Sequence, residues 1–485
     1  MTPQNKFTKS FQELHVFLKD EKQKEYSIIG IFKHFKSDEL SKLFRSLKRN
    51  GIPFSEAFLK LILMTVGQMT IFRCIVSQGN NVDGGKDAYY GIKNNPMTDW
   101  RRLVIAMFLR FESLKQRAVT KIANGITCFI ADDTAFQKRG KTLEGISRIW
   151  DHVIHRSILG FKGLFLAYWD SMNFVPIDVS LHNEIGKNQN KPFGLKPEEI
   201  TSRYKKERHS YSPGKGRFDE TRITKVESLI SMIKNAISKG ITANYLLVDS
   251  WFMCEELIRF VFNHPHMFIL GMCKFGNAKY NLNEKSYDAV KLLDWCKKNM
   301  KLQRSRKLKS HYYTIDVGYK GMKVRLFFSQ YANQSSCCLL LTDNLSLSYN
   351  EAIRIYQIRW GIEVFFKEAK QYLRLGKCQS NDFDAQIADI SIIMITYMML
   401  SLKKRFQEYD TIGGVFRDVQ HEMIEDNLAE RLFGLFVELV SSILCRFEIN
   451  PVEFIRIMLE ENILSESITD ILVKEMENRN KWKAA

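Results

Sequence analysis

The stretch from Thr127 to Met272 changes texture in an order that few architectures can use. ITCFIADDTAF, GLFLAYWD and FVPIDVSLH are rich in β-branched and aromatic residues, and the turn residues SMN separate the last two, so the three predict a meander of strands. A polar stretch from Asn183 to Lys225 follows. Beyond it come a helix over Val226–Ser238, a short apolar strand in NYLLVDS, a helix from Met253 and a strand near Met267–Met272. A brief apolar run bounded by polar residues reads as a strand buried on both faces. The order β-β-β-α-β-α-β therefore calls for an α/β fold, with helices packed on one sheet.

That order is the pattern of an RNase H-like catalytic core, and other α/β folds share it. Cys273 to about Leu341 interrupts it with the strand-like runs HYYTIDVGYK, MKVRLFFSQ and SSCCLLLTD, a β-rich insertion. N- and C-terminal helical regions flank the core. The boundaries are 1–120 for a helical N-terminal region, dotted with basic residues and so expected to bind DNA, 121–272 for the first part of the core, and 273–343 for the insertion. The second part of the core is 344–400, and a helical C-terminal region is 401–485. Apolar periodicity runs through Phe54–Ile75 and Trp100–Leu114, with the break QGNNVDGGKD between them.

Composition narrows the partner. The net charge is +18, which points to a polyanion, either nucleic acid or an anionic membrane. Basic residues dot the N-terminal region at Lys42, Arg45, Lys48, Arg49, Arg101, Arg102, Lys115, Arg117 and Lys121. Eleven Lys/Arg stand against five Asp/Glu between Lys187 and Lys225, which suits either a solvated loop or a phosphate-contacting arm. Lys297, Lys298, Lys301, Arg304, Arg306, Lys307 and Lys309 run without an acid among them. Apolar runs such as Ser391–Leu402 extend for about 12 residues, too short to span a bilayer, so no membrane partner is expected. Nine cysteines without a C-x-x-C pair suit a reducing cytoplasm. The close pair His152 and His155 has no matching second pair, so zinc is not expected.

In YQIRWGIEVFFKEAK, Tyr356, Arg359, Glu363, Lys367 and Lys370 fall within about 80° of one another on a helix. Ile355, Ile358, Ile362, Phe365, Phe366, Ala369 and Leu373 form a separate apolar face. Taken alone, this is an amphipathic surface helix with the ion pairs Arg359–Glu363 and Glu363–Lys367. Two more acids stand out by context: Asp132 in CFIADDTAF and Asp249 at the end of LLVDSWF. Three carboxylates can hold two Mg²⁺ ions about 3.5–4 Å apart, which suits displacement at phosphorus. Nearby cations then suit a phosphodiester.

Here the chain resembles DDE transposases of bacterial insertion sequences, the insertion-sequence-4 family. Tyr356, Arg359, Glu363 and Lys370 match the family's Tyr-x2-Arg-x3-Glu-x6-Lys signature, and VDSWF and IADDTAF resemble its two aspartate motifs. The resemblance covers roughly 120–400. It implies that Asp132, Asp249 and Glu363 are the catalytic, metal-binding triad for two Mg²⁺ or Mn²⁺ ions, and that Tyr356, Arg359, Lys367 and Lys370 contact DNA. It further implies a cytoplasmic enzyme that cleaves DNA at terminal inverted repeats and joins the 3′-OH to target DNA, as a homodimer when DNA is bound. Either Asp132 or Asp133 can be the first aspartate. Asp132 shares a strand face with Ile130, Thr134 and Phe136, and Asp-x-Thr suits the family pattern. Trp295, in KLLDWCKK, reads as a helix core position, so no base-stacking role is carried to it. A nuclease or resolvase without strand transfer is the rival reading. The apolar faces around Leu432–Leu444 suit either a dimer contact or packing on the core.

Overall fold

The computed structural model describes residues 28–47, 51–78, 85–118, 125–331, 337–406 and 411–421, with Arg446. Lys48, Arg49, Lys121, the side chains of Lys115 and Arg117, part of the break after Gln78 and the segment Leu432–Leu444 lie outside the described residues. The chain divides into two units, His34–Gly413 and Met1–Lys33 with Gly414–Ala485. In the second, residues 28–33 and 414–421 are helical.

The first unit is built on a 12-stranded sheet. β1 (Cys128–Gln137) lies between β3 (Arg156–Trp169), antiparallel to it, and β5 (Tyr245–Val248), parallel to it. β4 (Phe174–His182) pairs with the distal half of β3, and β6 (Phe268–Cys273) runs parallel to β5. YLLV in β5 is buried throughout, as a parallel strand covered on both faces must be. The meander holds an additional strand, β2 (Ser147–Asp151), which pairs with the start of β3. SRIWD is too short, and too mixed in polarity, to announce itself.

The insertion extends the core sheet. β7 (Lys279–Leu282), β8 (Lys285–Asp288), β9 (Gln303–Ser305), β10 (Ser310–Tyr319) and β11 (Met322–Tyr331) lead to β12 (Cys338–Thr342). β12 pairs antiparallel with β6, so the inserted strands continue the edge that β6 would otherwise expose. Of the insertion's helix, Ala289–Asn299, the buried residues are Ala289, Leu292 and Cys296. Trp295 is only half-buried, a correction to the core position read from its neighbours.

In chain order the helices are α1 (Ile28–Phe35), α2 (Asp38–Leu47), α3 (Phe54–Val66), α4 (Ile71–Gln78), α5 (Lys86–Asn94) and α6 (Trp100–Ala118). Then follow α7 (Pro197–Thr201), α8 (Pro213–Asp219), α9 (Lys225–Ser238), α10 (Glu255–Phe262), α11 (Ala289–Asn299), α12 (Tyr349–Gln357), α13 (Trp360–Tyr372) and α14 (Phe383–Phe406). Phe54, Phe58 and Trp100 pack ring to ring between α3 and α6. α6 in turn rests on β4 and α14. Capping boxes set two helix starts, Thr224 with Glu227 before α9 and Ser348 with Glu351 before α12.

α14 corrects the reading of the apolar run near Ser391. The run belongs to a helix whose segment Phe383–Arg405 is, by length and composition alone, long and apolar enough to cross a bilayer. Within the protein, 94% of its apolar window is buried.

Candidate active site

The polar stripe runs over two helices, a correction to the single helix its spacing predicts. α12 ends at Gln357 and α13 begins at Trp360. Between them Ile358 N–H reaches Ile355 C=O and Arg359 N–H reaches Tyr356 C=O, each at 3.0 Å. These i−3 bonds tighten the chain for one turn and re-phase it, so that Ile355 before the step and Ile362 and Phe365 after it are all buried. α13 comes close to the sheet because position 361 has no side chain: a Cβ on Gly361 would stand 2.9 Å from Phe174. Phe365 locks the approach, with ring centroids 5.5 Å from Phe165, 5.8 Å from Phe174 and 4.9 Å from Tyr397. Each such buried ring stabilises by about 1.5–3 kcal/mol.

Packed this way, α13 sets its stripe against β1. The Arg359 guanidinium donates to Asp132 Oδ2 at 2.9 Å and to Glu363 Oε1 at 2.6 Å, bridging strand and helix. Lys370 Nζ donates to Thr134 Oγ1 at 2.6 Å, one step along the same face of β1. Lys367 is exposed, and of the two expected ion pairs only Arg359–Glu363 forms among the described residues. Tyr356 ends α12 with its ring centroid 5.8 Å from the Arg359 guanidinium. Burial pushes its phenol up to about 12, against the lowering effect of Arg359 and a hydrogen bond from the Met272 backbone.

Asp249 enters from the neighbouring strand. β1 and β5 are parallel with Ala131 opposite Val248, so Asp132 and Asp249 are the next residues along each. Asp249 Oδ1 accepts the N–H groups of Trp251 at 2.9 Å and Phe252 at 3.4 Å, which fixes its carboxylate in a turn. Burial first, and the Asp249 charge second, push the Asp132 carboxyl up to about 7, although Arg359 opposes both. Asp133 faces the other way. Its carboxylate pairs with Lys225 and lies 3.9 Å from Lys162 Nζ. Lys225 Nζ also sits 3.6 Å over the ring of Trp251. Sequence reasoning missed this Asp133–Lys225–Trp251 group; its only trace was an aromatic residue two places after Asp249.

Among the described residues, no three His, Cys, Asp or Glu side chains are gathered closely enough to hold a metal ion. The physical reason at this site is that Arg359 stands between Asp132 and Glu363. The donor set itself fits a hard divalent cation: Asp132, Asp249 and Glu363 offer carboxylate oxygens only, and the mutual repulsion of Asp132 and Asp249 is what a cation would relieve.

The stretch from Lys187 to Lys225 is neither a plain solvated loop nor a free arm. Lys187, Lys191, Lys196, Lys205 and Arg222 are exposed, but Arg203, Lys206, Arg208 and Arg217 turn inward. Arg208 donates to Glu144 at 2.6 Å and to Asp384 at 3.1 Å, and Lys206 reaches Asp382 at 2.7 Å. Arg217 is buried, 3.5 Å from Asp178. The cations from Lys297 to Lys309 are all exposed.

A sheet ordered β4-β3-β1-β5-β6, with one acid on β1, one just past the end of the parallel neighbour β5 and one on a following helix, is consistent with a DDE, RNase H-like core. Residues 219–399 match the family described as Transposase DDE domain, and residues 81–272 match DDE superfamily endonuclease. The two matches overlap at residues 219–272 and together run from 81 to 399. The first match contains Asp249 and Glu363, and the second contains Asp132 and Asp249. No curated protein matches the chain.

Proposed function

We propose that the protein is the transposase of a bacterial insertion sequence, of the insertion-sequence-4 family, acting on DNA in the cytoplasm. The observation that carries this reading is the Arg359 bridge, which joins Asp132 on β1 to Glu363 on α13 beside Asp249. An ordinary surface helix has no reason to aim its ion pair at a strand carrying a second acid next door.

In this reading Asp132, Asp249 and Glu363 would hold two Mg²⁺ or Mn²⁺ ions, which would supply a lowered pKa for an attacking water and a polarised phosphoryl oxygen. The Arg359 guanidinium would hold a DNA phosphate beside these acids. Lys370, Lys367 and the Tyr356 hydroxyl hold neighbouring phosphates, fixing the strand without reading sequence. Asp249 stays oriented through its bonds from the Trp251 and Phe252 amides.

Two displacements at phosphorus follow. Water forms one P–O bond and expels the 3′-oxygen at each terminal inverted repeat; the freed 3′-OH then attacks a target phosphodiester and expels a target 3′-oxygen. One ester replaces another, so no nucleotide cofactor is needed. Two ends require two active sites, hence a homodimer on DNA.

Strand transfer from pre-cleaved ends tests the reading. Joined products in Mg²⁺ support it. Cleavage without joining would favour the nuclease reading, which the endonuclease match also accommodates.

A further inference from the structure

β2 and the first residues of β3 form a hairpin whose tip leaves apolar side chains in water. Val153 is 87% exposed, Ile154 45%, and Trp150, on the outward face of β2, 42%. The turn does not need them. Asp151 Oδ1 makes it, accepting the Val153 N–H at 2.9 Å and the Ile154 N–H at 3.4 Å, and His155 completes it at φ 48°. Polar residues at 153 and 154 would form the same turn at less cost in water.

Cations surround these apolar groups. Arg148, His152, His155 and Arg156 are all exposed. The stem of Arg148 lies against Gly194, where a Cβ would come within 2.8 Å of it. The two nearby acids are occupied: Asp151 by the turn, and Glu184 by the Trp150 N–H at 3.0 Å.

The hairpin also adjoins the candidate site. β3 continues from it to Gly163, opposite Thr134, which receives Lys370. Desolvation of its ammonium lowers the Lys370 pKa, and the leading charge that opposes the shift is that of Asp151 at the hairpin's base.

We propose that the Val153–Ile154 tip is a wedge that enters the base stack of DNA flanking the cleavage site, with Arg148, Arg156 and the two histidines on the adjacent phosphates. The inference rests on the DNA-cutting reading above. Aliphatic wedges part a base step and bend the duplex, and phosphate contacts offset the unstacking. The same cations disfavour a second copy of the chain as the occupant, since two such hairpins repel.

The test uses full-length protein and a DNA fragment from the flank of its own gene, carrying 2-aminopurine at successive positions. Wild-type protein should raise the fluorescence several-fold at one step near the cut. V153S/I154S should abolish that rise and weaken binding about tenfold, with an unchanged melting temperature because both side chains are exposed. R148Q/R156Q should keep the rise at saturation while reducing the log–log salt slope by up to about 1.8, at roughly 0.9 per phosphate contact. A wild-type protein that binds and cuts but raises fluorescence nowhere would overturn the wedge and leave the transposase reading standing. Loss of a dimer in V153S/I154S, with the fluorescence rise intact, would assign the tip to protein contact and also overturn it. A wild-type protein that binds none of the flanking DNA would count against both.

Discussion

Arg359 donates to Asp132 across 2.9 Å, tying the start of α13 to a strand 227 residues earlier in the chain. The same guanidinium holds Glu363, so two acids of the candidate triad share one cation. Arg359 and a divalent ion are therefore competitors for the same oxygens. Arg359→Ala should bind Mn²⁺ more tightly than wild type in calorimetry, yet cut DNA about 10²-fold more slowly, the order of loss when a charge that stabilises a transition state is removed. Weaker Mn²⁺ binding in the variant would show that the bridge organises the acids instead of competing for them.

Asp132 and Asp133 should separate by phenotype. Asp132→Asn removes a carboxylate whose charge is already disfavoured, so the variant should melt no lower than wild type while losing cleavage. Asp133→Asn leaves Lys225 without its acid and should lose about 1–3 kcal/mol in urea titrations, with measurable cleavage retained. The reverse pattern would make Asp133 the catalytic residue.

His182 supplies a pH dependence remote from the acids. It is 4% exposed, with Nε2 2.7 Å from Ser180 Oγ, and burial pushes its pKa down to about 4. Between that value and the ordinary 6.5 the unfolded chain binds the extra proton. Its contribution is thus complete above about pH 6.5 and lost as pH falls toward 4, up to roughly 3 kcal/mol. Denaturant midpoints from pH 7 to pH 4 check this: His182→Gln should flatten the curve in that window.

Arg208 should matter to folding more than any exposed lysine of its segment. It is buried with Glu144 and Asp384. Arg208→Ala leaves Glu144 with backbone donors alone and Asp384 with Lys206 as its one remaining cation, and should cost about 3 kcal/mol. Lys187→Ala should change stability by less than about 0.5 kcal/mol. Equal midpoints for the two variants would mean that the buried ion pairs hold nothing in place.

The parts legible in the sequence were those encoded locally. Alternation in CFIADDTAF places Asp132 and Thr134 on one face and Asp133 on the other, and the structure pairs them accordingly with Arg359, Lys370 and Lys225. The wholly apolar YLLV marks a strand covered on both faces. What escaped depends on distant partners. Nothing near Arg208 signals that Glu144 and Asp384 will bury it, so its segment reads as a solvated basic run. The step between α12 and α13 preserves helical dihedrals at Ile358 and Arg359, so side-chain periodicity passes through it unmarked. The pairing of β12 with β6 joins residues about seventy apart, and it makes the insertion a continuation of the core sheet.

The most direct test of the central claim is Glu363→Gln, assayed for end binding, cleavage and strand transfer on the same DNA. Glutamine keeps the shape of the side chain and can still bond to its neighbours, but it removes the charge that holds a divalent ion. The account expects end binding within about twofold of wild type, because phosphate contacts come from other residues, and cleavage and joining reduced below detection. An ion-pair helix with no catalytic role expects a stability change of a few tenths of a kcal/mol and normal activity. Near wild-type transposition by Glu363→Gln would contradict the account.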